Sequence, residues 1–217
     1  MRIIEPSFEI LNQPDPQALL GLVELAGRTC YKSEDRIKQG TAPNFVRRII
    51  ASGHHSVIEH AHLTVRFICD RGVSHELVRH RLASYSQEST RYANYSQDKF
   101  GSEITLIRPF FWETDSAAYA KWQAAMQAAE DAYLDLLKLG ARPQEARSVL
   151  PNSLKTEVVM TTNLREWRHV LGLRCDRASH PQIRQVMLPL LRELARLIPV
   201  FFDDLREHFQ EDLARLA

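Results

Sequence analysis

The chain has 217 residues, 44% of them hydrophobic, with 8 Gly and 10 Pro, which suits one ordinary globular domain with a substantial core and argues against two. Its formal net charge of +1 excludes the broad basic excess of a general nucleic-acid binder, so a cationic cluster has to be read as a local site. The three cysteines, Cys30, Cys69 and Cys175, are odd in number and widely scattered, which excludes a disulfide framework or a paired-cysteine zinc site.

Residues 2 to 11 read as short strands broken by Pro6. From 17 to 29 the spacing of Leu19, Leu20, Leu22, Val23, Leu25 and Ala26 predicts a packed helix, started by Asp15 and Pro16. A polar loop ending at Gly40 precedes a second helix over about 43 to 52, and the alternation in 63 to 68 predicts a strand. If the apolar and charged run from Val73 to Arg81 is helical, Glu76, Arg79 and His80 share one face and Arg81 points elsewhere. Beyond Ala83 an extended chain would line Gln87, Ser89 and Arg91 along one side, with Glu88, Thr90 and Tyr92 on the other.

The clearest long helix covers 115 to 139, closed by Gly140 with Pro143 beyond. A strand over 157 to 162, a helix over 165 to 173, and a helical tail over 182 to 216 interrupted at Pro189 and Pro199 complete the pattern. No repeat, low-complexity stretch or interdomain linker occurs. The mixture predicts the α+β class in a single domain over residues 1 to 217.

Residues 79 to 91, Arg-His-Arg-Leu-Ala-Ser-Tyr-Ser-Gln-Glu-Ser-Thr-Arg, concentrate cations and hydroxyls in a stretch without Gly or Pro. Adjacent cations at Arg79, His80 and Arg81 repel one another unless an anion such as phosphate takes up the guanidinium donors. No Gly-x-Gly-x-x-Gly sequence and no Walker-type loop is present, so side chains must hold any phosphate. His54, His55, His60 and His62 lie near Glu59, but no thiolates accompany them. His75-Glu76 followed by His80 has one residue too many for the zinc-protease helix, so no metal is expected. The opening residues lack an apolar signal-peptide core and no stretch reaches membrane-span length, so a cytoplasmic protein with no membrane partner is expected.

Arg-His-Arg, seven residues, Ser89 and then Thr90-Arg91-Tyr92 resemble the signature of flavin-dependent thymidylate synthases. Gly53-His54-His55-Ser56-Val57-Ile58-Glu59-His60 is similar to an upstream segment of that family. Ala146 to Pro151, Thr162-Asn163-Leu164-Arg165 and Gly172-Leu173-Arg174 follow in the family's order. The resemblance runs from about residue 20 to about residue 190. It implies an α+β fold with a central mixed or antiparallel sheet flanked by long helices, and a homotetramer with active sites shared between chains.

The resemblance also implies reductive methylation of dUMP to dTMP, with 5,10-methylenetetrahydrofolate as carbon donor and FAD recharged by NADPH. It places His54, Ser56, Arg79, His80, Arg81, Asn163, Leu164, Arg165 and His169 at FAD. Glu76, Arg79, Gln87, Glu88, Ser89, Thr90, Arg91, Arg147 and Arg174 fall at dUMP, with Arg174 as the catalytic activator of the uracil ring. Asn is common in the family at the position of His169, and the family usually has Gln at that of Glu76 and Glu at that of Gln87. It also departs from the chain's Ala178-Ser179-His180-Pro181-Gln182-Ile183-Arg184. A competing reading is a noncatalytic nucleotide-binding or RNA-binding protein that uses the basic segment Arg79 to Arg91, and near-neutral charge weighs against RNA.

Overall fold

The computed structural model describes residues 1–97 and 101–216. Strands β1 (Arg2–Ile4) and β2 (Ser7–Ile10) flank Pro6, and α1 (Pro16–Cys30) starts where Asp15 accepts hydrogen bonds from the Gln17 and Ala18 amides. Helix α2 (Ala42–Ala51) leads through a 3-10 segment (His55–His60) to β3 (His62–Asp70). After α3 (Arg71–Leu77) come β4 (Ala83–Gln87) and β5 (Thr105–Ile107). The long α4 (Ala117–Lys138) and the short α5 (Pro143–Ala146) precede β6 (Lys155–Asn163), and α6 (Leu164–Arg174), α7 (Pro181–Leu197), α8 (Pro199–His208) and α9 (Gln210–Ala214) close the chain.

The main sheet has four strands in the order β2-β3-β6-β4, and β1 pairs with β5 in parallel. Its neighbours run antiparallel. Thr64 meets Thr161 while Arg71 meets Leu154, and Arg66 meets Glu9 while Leu11 meets Thr64. Glu88 likewise meets Glu157 while Leu82 meets Thr162. The alternating burial of β6 is that of a strand with one face against a core. Among the described residues no helix is long and apolar enough to cross a membrane.

The described chain clusters into two compact units, to both of which β3, β4 and β6 contribute residues. The first holds residues 1–7, 67–79 and 86–159, and its core gathers Tyr95, Ile104, Leu106, Tyr133, Ala146 and Leu154 with Trp122 and Met126 of α4 against them. Buried Glu130 pairs with the N-terminal ammonium of Met1 and accepts from the Ile104 amide, both at 2.9 Å, so its charge is met inside that core. The second unit holds residues 8–66, 80–85 and 160–217, with α6 packed against α7 and α8, and α1 against α2. Trp167 is fully buried there and its indole donates to the Leu63 carbonyl at 3.1 Å. Gly27 lets α1 and α2 approach closely, because a Cβ would lie 2.6 Å from the Phe45 ring and force it to shift.

Three expectations need correction. The helix expected to reach Arg81 ends at Leu77, with only a turn from the Arg79 amide to the Glu76 carbonyl at 3.4 Å, so Arg79 and His80 do not share a helical face with Glu76. The chain leaves the helix because β4 must start at Ala83, and Thr162 fixes the Leu82 carbonyl at 2.5 Å. Nor does the extended alternation run to Arg91. The Ser89 carbonyl accepts from the Tyr92 and Ala93 amides, turning the chain after Glu88. Finally, Pro189 lies inside α7 without ending it. A helix-interior proline costs about 3 kcal/mol. Buried Ile183, Val186, Met187, Leu190, Leu191 and Leu194, at about 1.5–3 kcal/mol each, outweigh that.

Candidate active site

The residues expected to meet a nucleotide are divided between the two units, and each unit builds its share separately. In the first, the turn after β4 brings Thr90 to Arg147, whose Nη1 donates to the buried Thr90 hydroxyl at 3.3 Å. Ser89 Oγ accepts from the Arg91 amide at 3.3 Å, which shapes the turn, and the exposed Arg91 guanidinium sits 5.6 Å from the Tyr92 ring centroid.

Two polar groups of the expected set are engaged within the fold. Gln87 donates from Nε2 to Ser74 at 2.9 Å and to Thr156 at 3.2 Å. Glu88 takes a hydrogen bond from Tyr95 at 3.3 Å and an ion pair from Lys155 at 3.1 Å. Burial works against the Lys155 charge, but Glu157 and Glu88 outweigh it and raise its pKa overall. Glu76 is half-buried on α3 of the same unit, and Arg79 is exposed just beyond that helix.

In the second unit Gly53 adopts φ +72, a left-handed turn open to glycine, and the His54 amide bonds back to the Ile49 carbonyl at 3.0 Å. This turn brings His54 and Ser56 into the wall of a cavity of about 370 Å³ that Arg165, the second residue of α6, also lines. A neighbouring cavity of about 570 Å³ shares His55 and Arg165 and adds Leu82, Glu166, Arg168, His169 and Leu205. Arg165 pairs with Glu59 at 2.5 Å. Hydroxyl, imidazole and guanidinium donors on one wall are the set that a diphosphate-bearing cofactor requires, so the residues fit FAD.

Two other members of the expected FAD set serve the start of α6. Asn163 caps that helix by accepting from the Glu166 amide at 2.9 Å, and fully buried Leu164 donates its amide to the Ala61 carbonyl at 2.8 Å. Arg81 is exposed, whereas His80 is buried. Arg174 Nε donates to His80 Nε2 at 3.0 Å, and His80 Nδ1 faces Glu166 at 3.6 Å. Burial first, then the Arg174 cation and His169, lower the His80 pKa to about 4, so the ring is neutral near pH 7. His80, Glu166 and His169 are spaced closely enough for a metal ion. A cation there would compete with the guanidinium already bound to Nε2, so the arrangement suits a hydrogen-bonded chain better.

Sequence reasoning missed Glu166, and it singled out Tyr85 only for the RNA-binding alternative, whereas the Tyr85 hydroxyl donates to the His80 carbonyl at 2.9 Å. An acidic residue in the first turn of a helix reads as a capping feature, so no local signal marked Glu166. Also missed was a cavity of about 530 Å³ in the second unit whose cations are Arg28, Lys32, Arg36 and Arg48. Its arginines are spread over α1, a 3-10 turn and α2, and no motif joins them.

The family model described as thymidylate synthase complementing protein matches residues 12–200. A flavin-dependent thymidylate synthase of Geobacter sulfurreducens is 36% identical over 200 residues, covering 89% of this chain and 83% of the relative. That of Pyrococcus furiosus is 36% identical over 177 residues, covering 81% and 71%. The chain belongs to this family, that of the flavin-dependent thymidylate synthases. The crystal structure of the UMP/dUMP methylase PolB from Streptomyces cacaoi bound with 5-Br dUMP shares the fold, with a TM-score of 0.77 over 94% of this chain and 96% of that one at 24% identity.

Proposed function

We propose that this protein catalyses the reductive methylation of dUMP to dTMP, taking carbon from 5,10-methylenetetrahydrofolate, with FAD recharged by NADPH as the hydride carrier. The observation that carries this reading is the convergence of Arg165 with His54 and Ser56, more than a hundred residues earlier in the chain, on one cavity with donors for a flavin cofactor. When bound, FAD supplies the hydride chemistry, and the protein supplies orientation and charge. In this reading one synthase domain spans residues 1–217 and works in the cytoplasm as a homotetramer.

His54, Ser56, Arg79, His80, Arg81, Asn163, Leu164, Arg165 and His169 form the flavin side. Glu76, Arg79, the turn Gln87 to Arg91, Arg147 and Arg174 form the dUMP side. A nucleotide monophosphate brings nearly two negative charges, and guanidinium meets it with two parallel hydrogen bonds. Arg147, tied to Thr90, and Arg91 serve that purpose. Arg174 acts on the uracil ring: a permanent cation beside the negative charge that develops there lowers the barrier without itself moving a proton. The hydrogen bond to neutral His80 fixes the plane of that guanidinium.

Release of tritium from dUMP labelled at C5, in the presence of reduced flavin and methylenetetrahydrofolate, tests the reading. Wild-type protein should release label and form dTMP. A protein that binds both ligands and releases none would refute it.

A further inference from the structure

Helix α6 carries Glu166 in its first turn and Arg174 in its last, about two turns apart, and the His80 ring meets both. A guanidinium offers donors only, so at the 3.0 Å contact His80 Nε2 must be the acceptor and carry no proton. The ring proton then sits on Nδ1, which faces the Glu166 carboxylate at 3.6 Å. That separation exceeds a hydrogen bond, so the carboxylate acts by its charge, favouring the tautomer with the proton on its side. Both side chains are buried, His80 at 5% and Glu166 at 7% exposure, where a charge is felt more strongly than in water.

The rest of the surroundings immobilise the imidazole. Tyr85 holds the His80 backbone carbonyl at 2.9 Å, and His169 packs edge-on with ring centroids 5.8 Å apart. Asn163 caps the turn that presents Glu166. A functional group is held to the required tolerance when its supporting residues lie on rigid elements, and here both supports of the ring come from one helix.

We propose that Glu166 and His80 form a positioning relay for Arg174: the carboxylate sets the His80 tautomer, and the neutral ring fixes the guanidinium in the plane from which it acts on the pyrimidine of dUMP. The relay rests on the synthase reading for the target of Arg174, and gives His80 a part besides the flavin contact that the family resemblance implies. His80 and Glu166 are positioning residues, since both act through Arg174.

The test uses the flavin-loaded protein with His80→Ala, His80→Gln and Glu166→Gln. A misplacement of about 1 Å costs about 100-fold in rate, so His80→Ala, assayed with saturating FAD, should lower kcat by 10- to 100-fold, with flavin content per chain falling less than in Arg81→Ala and KM for dUMP changed much less. Glutamine can accept from Arg174 through its oxygen, so His80→Gln should recover most of that loss. Nitrogen NMR of the imidazole, in the wild-type protein with and without flavin, should show a single tautomer protonated at Nδ1, and Glu166→Gln should mix the two tautomers.

Flavin loss in His80→Ala equal to that in Arg81→Ala would overturn the relay in favour of a cofactor contact. Equal kcat in the alanine and glutamine variants, or a wild-type ring protonated at Nε2, would overturn it as well. If wild-type protein released no tritium from C5-labelled dUMP while the tautomer was as stated, the synthase reading would fall and the imidazole geometry would stand.

Discussion

Arg81 and Arg91 are both exposed arginines of one basic segment, yet they belong to different units of the fold. Arg81 is in the unit whose cavity gathers His54, Ser56 and Arg165, and Arg91 is on the turn that Thr90 and Arg147 stabilise. Arg81→Ala should therefore lose flavin. Arg91→Ala should retain it but bind dUMP more weakly by about 1.5–3 kcal/mol, the loss expected for a hydrogen bond to a charged group. Equal flavin loss in both variants, read by absorbance after gel filtration, would reject this division. The thiols are the other residue-scale case. Cys69 and Cys175 are buried, and burial raises both pKa values, that of Cys175 to about 12, which leaves no thiolate for nucleophilic attack near pH 7. Replacing Cys30, Cys69 and Cys175 together by Ala should leave dTMP formation intact. A folded triple variant that binds FAD and dUMP but makes no product would point to a cysteine mechanism.

At the scale of elements, the exchange of Glu76 and Gln87 links α3 to β4. The Gln87 amide reaches α3 through Ser74, two residues from Glu76, so a change at either position is felt along the same helix. Glu76→Gln and Gln87→Glu should each weaken dUMP binding, and the double exchange should recover much of it, with coupling of about 0.5–3 kcal/mol. Calorimetric titration of the four proteins checks this, and losses that simply add would mean independent positions. Elements with strong local signals were legible in the sequence: Asp15 ahead of α1, the alanine-rich α4 closed by Gly140, and the alternation in β3. The end of α3 was not, because pairing of β4 in the sheet decides it. Pro189 misled because burial of one helix face outweighs a lost backbone bond. Three-residue β5 has no periodicity to read, and its place depends on distant β1. The site was legible as a set of motifs, whereas the Glu166 contact with His80 exists only after folding.

For the molecule as a whole, His80 couples folding to pH. In the unfolded chain the imidazole titrates near 6.5 and in the folded protein at about 4. Between those values the unfolded state binds more protons, so stability present above pH 6.5 is lost as the pH falls toward 4. Denaturation at pH 7 and pH 5 should show a loss of up to about 2 kcal/mol, at about 1.36 kcal/mol per unit, that His80→Gln largely removes. The same pH dependence in both proteins would assign the effect to other groups. The cavity that gathers His54, Ser56 and Arg165 also has Cys30 in its wall, and this is the exposed one of the three thiols. Wild-type protein thus comes with a single natural attachment point for a fluorescent label, placed where the cofactor should shield it, so the rate of alkylation becomes an optical gauge of cavity occupancy without any engineered residue.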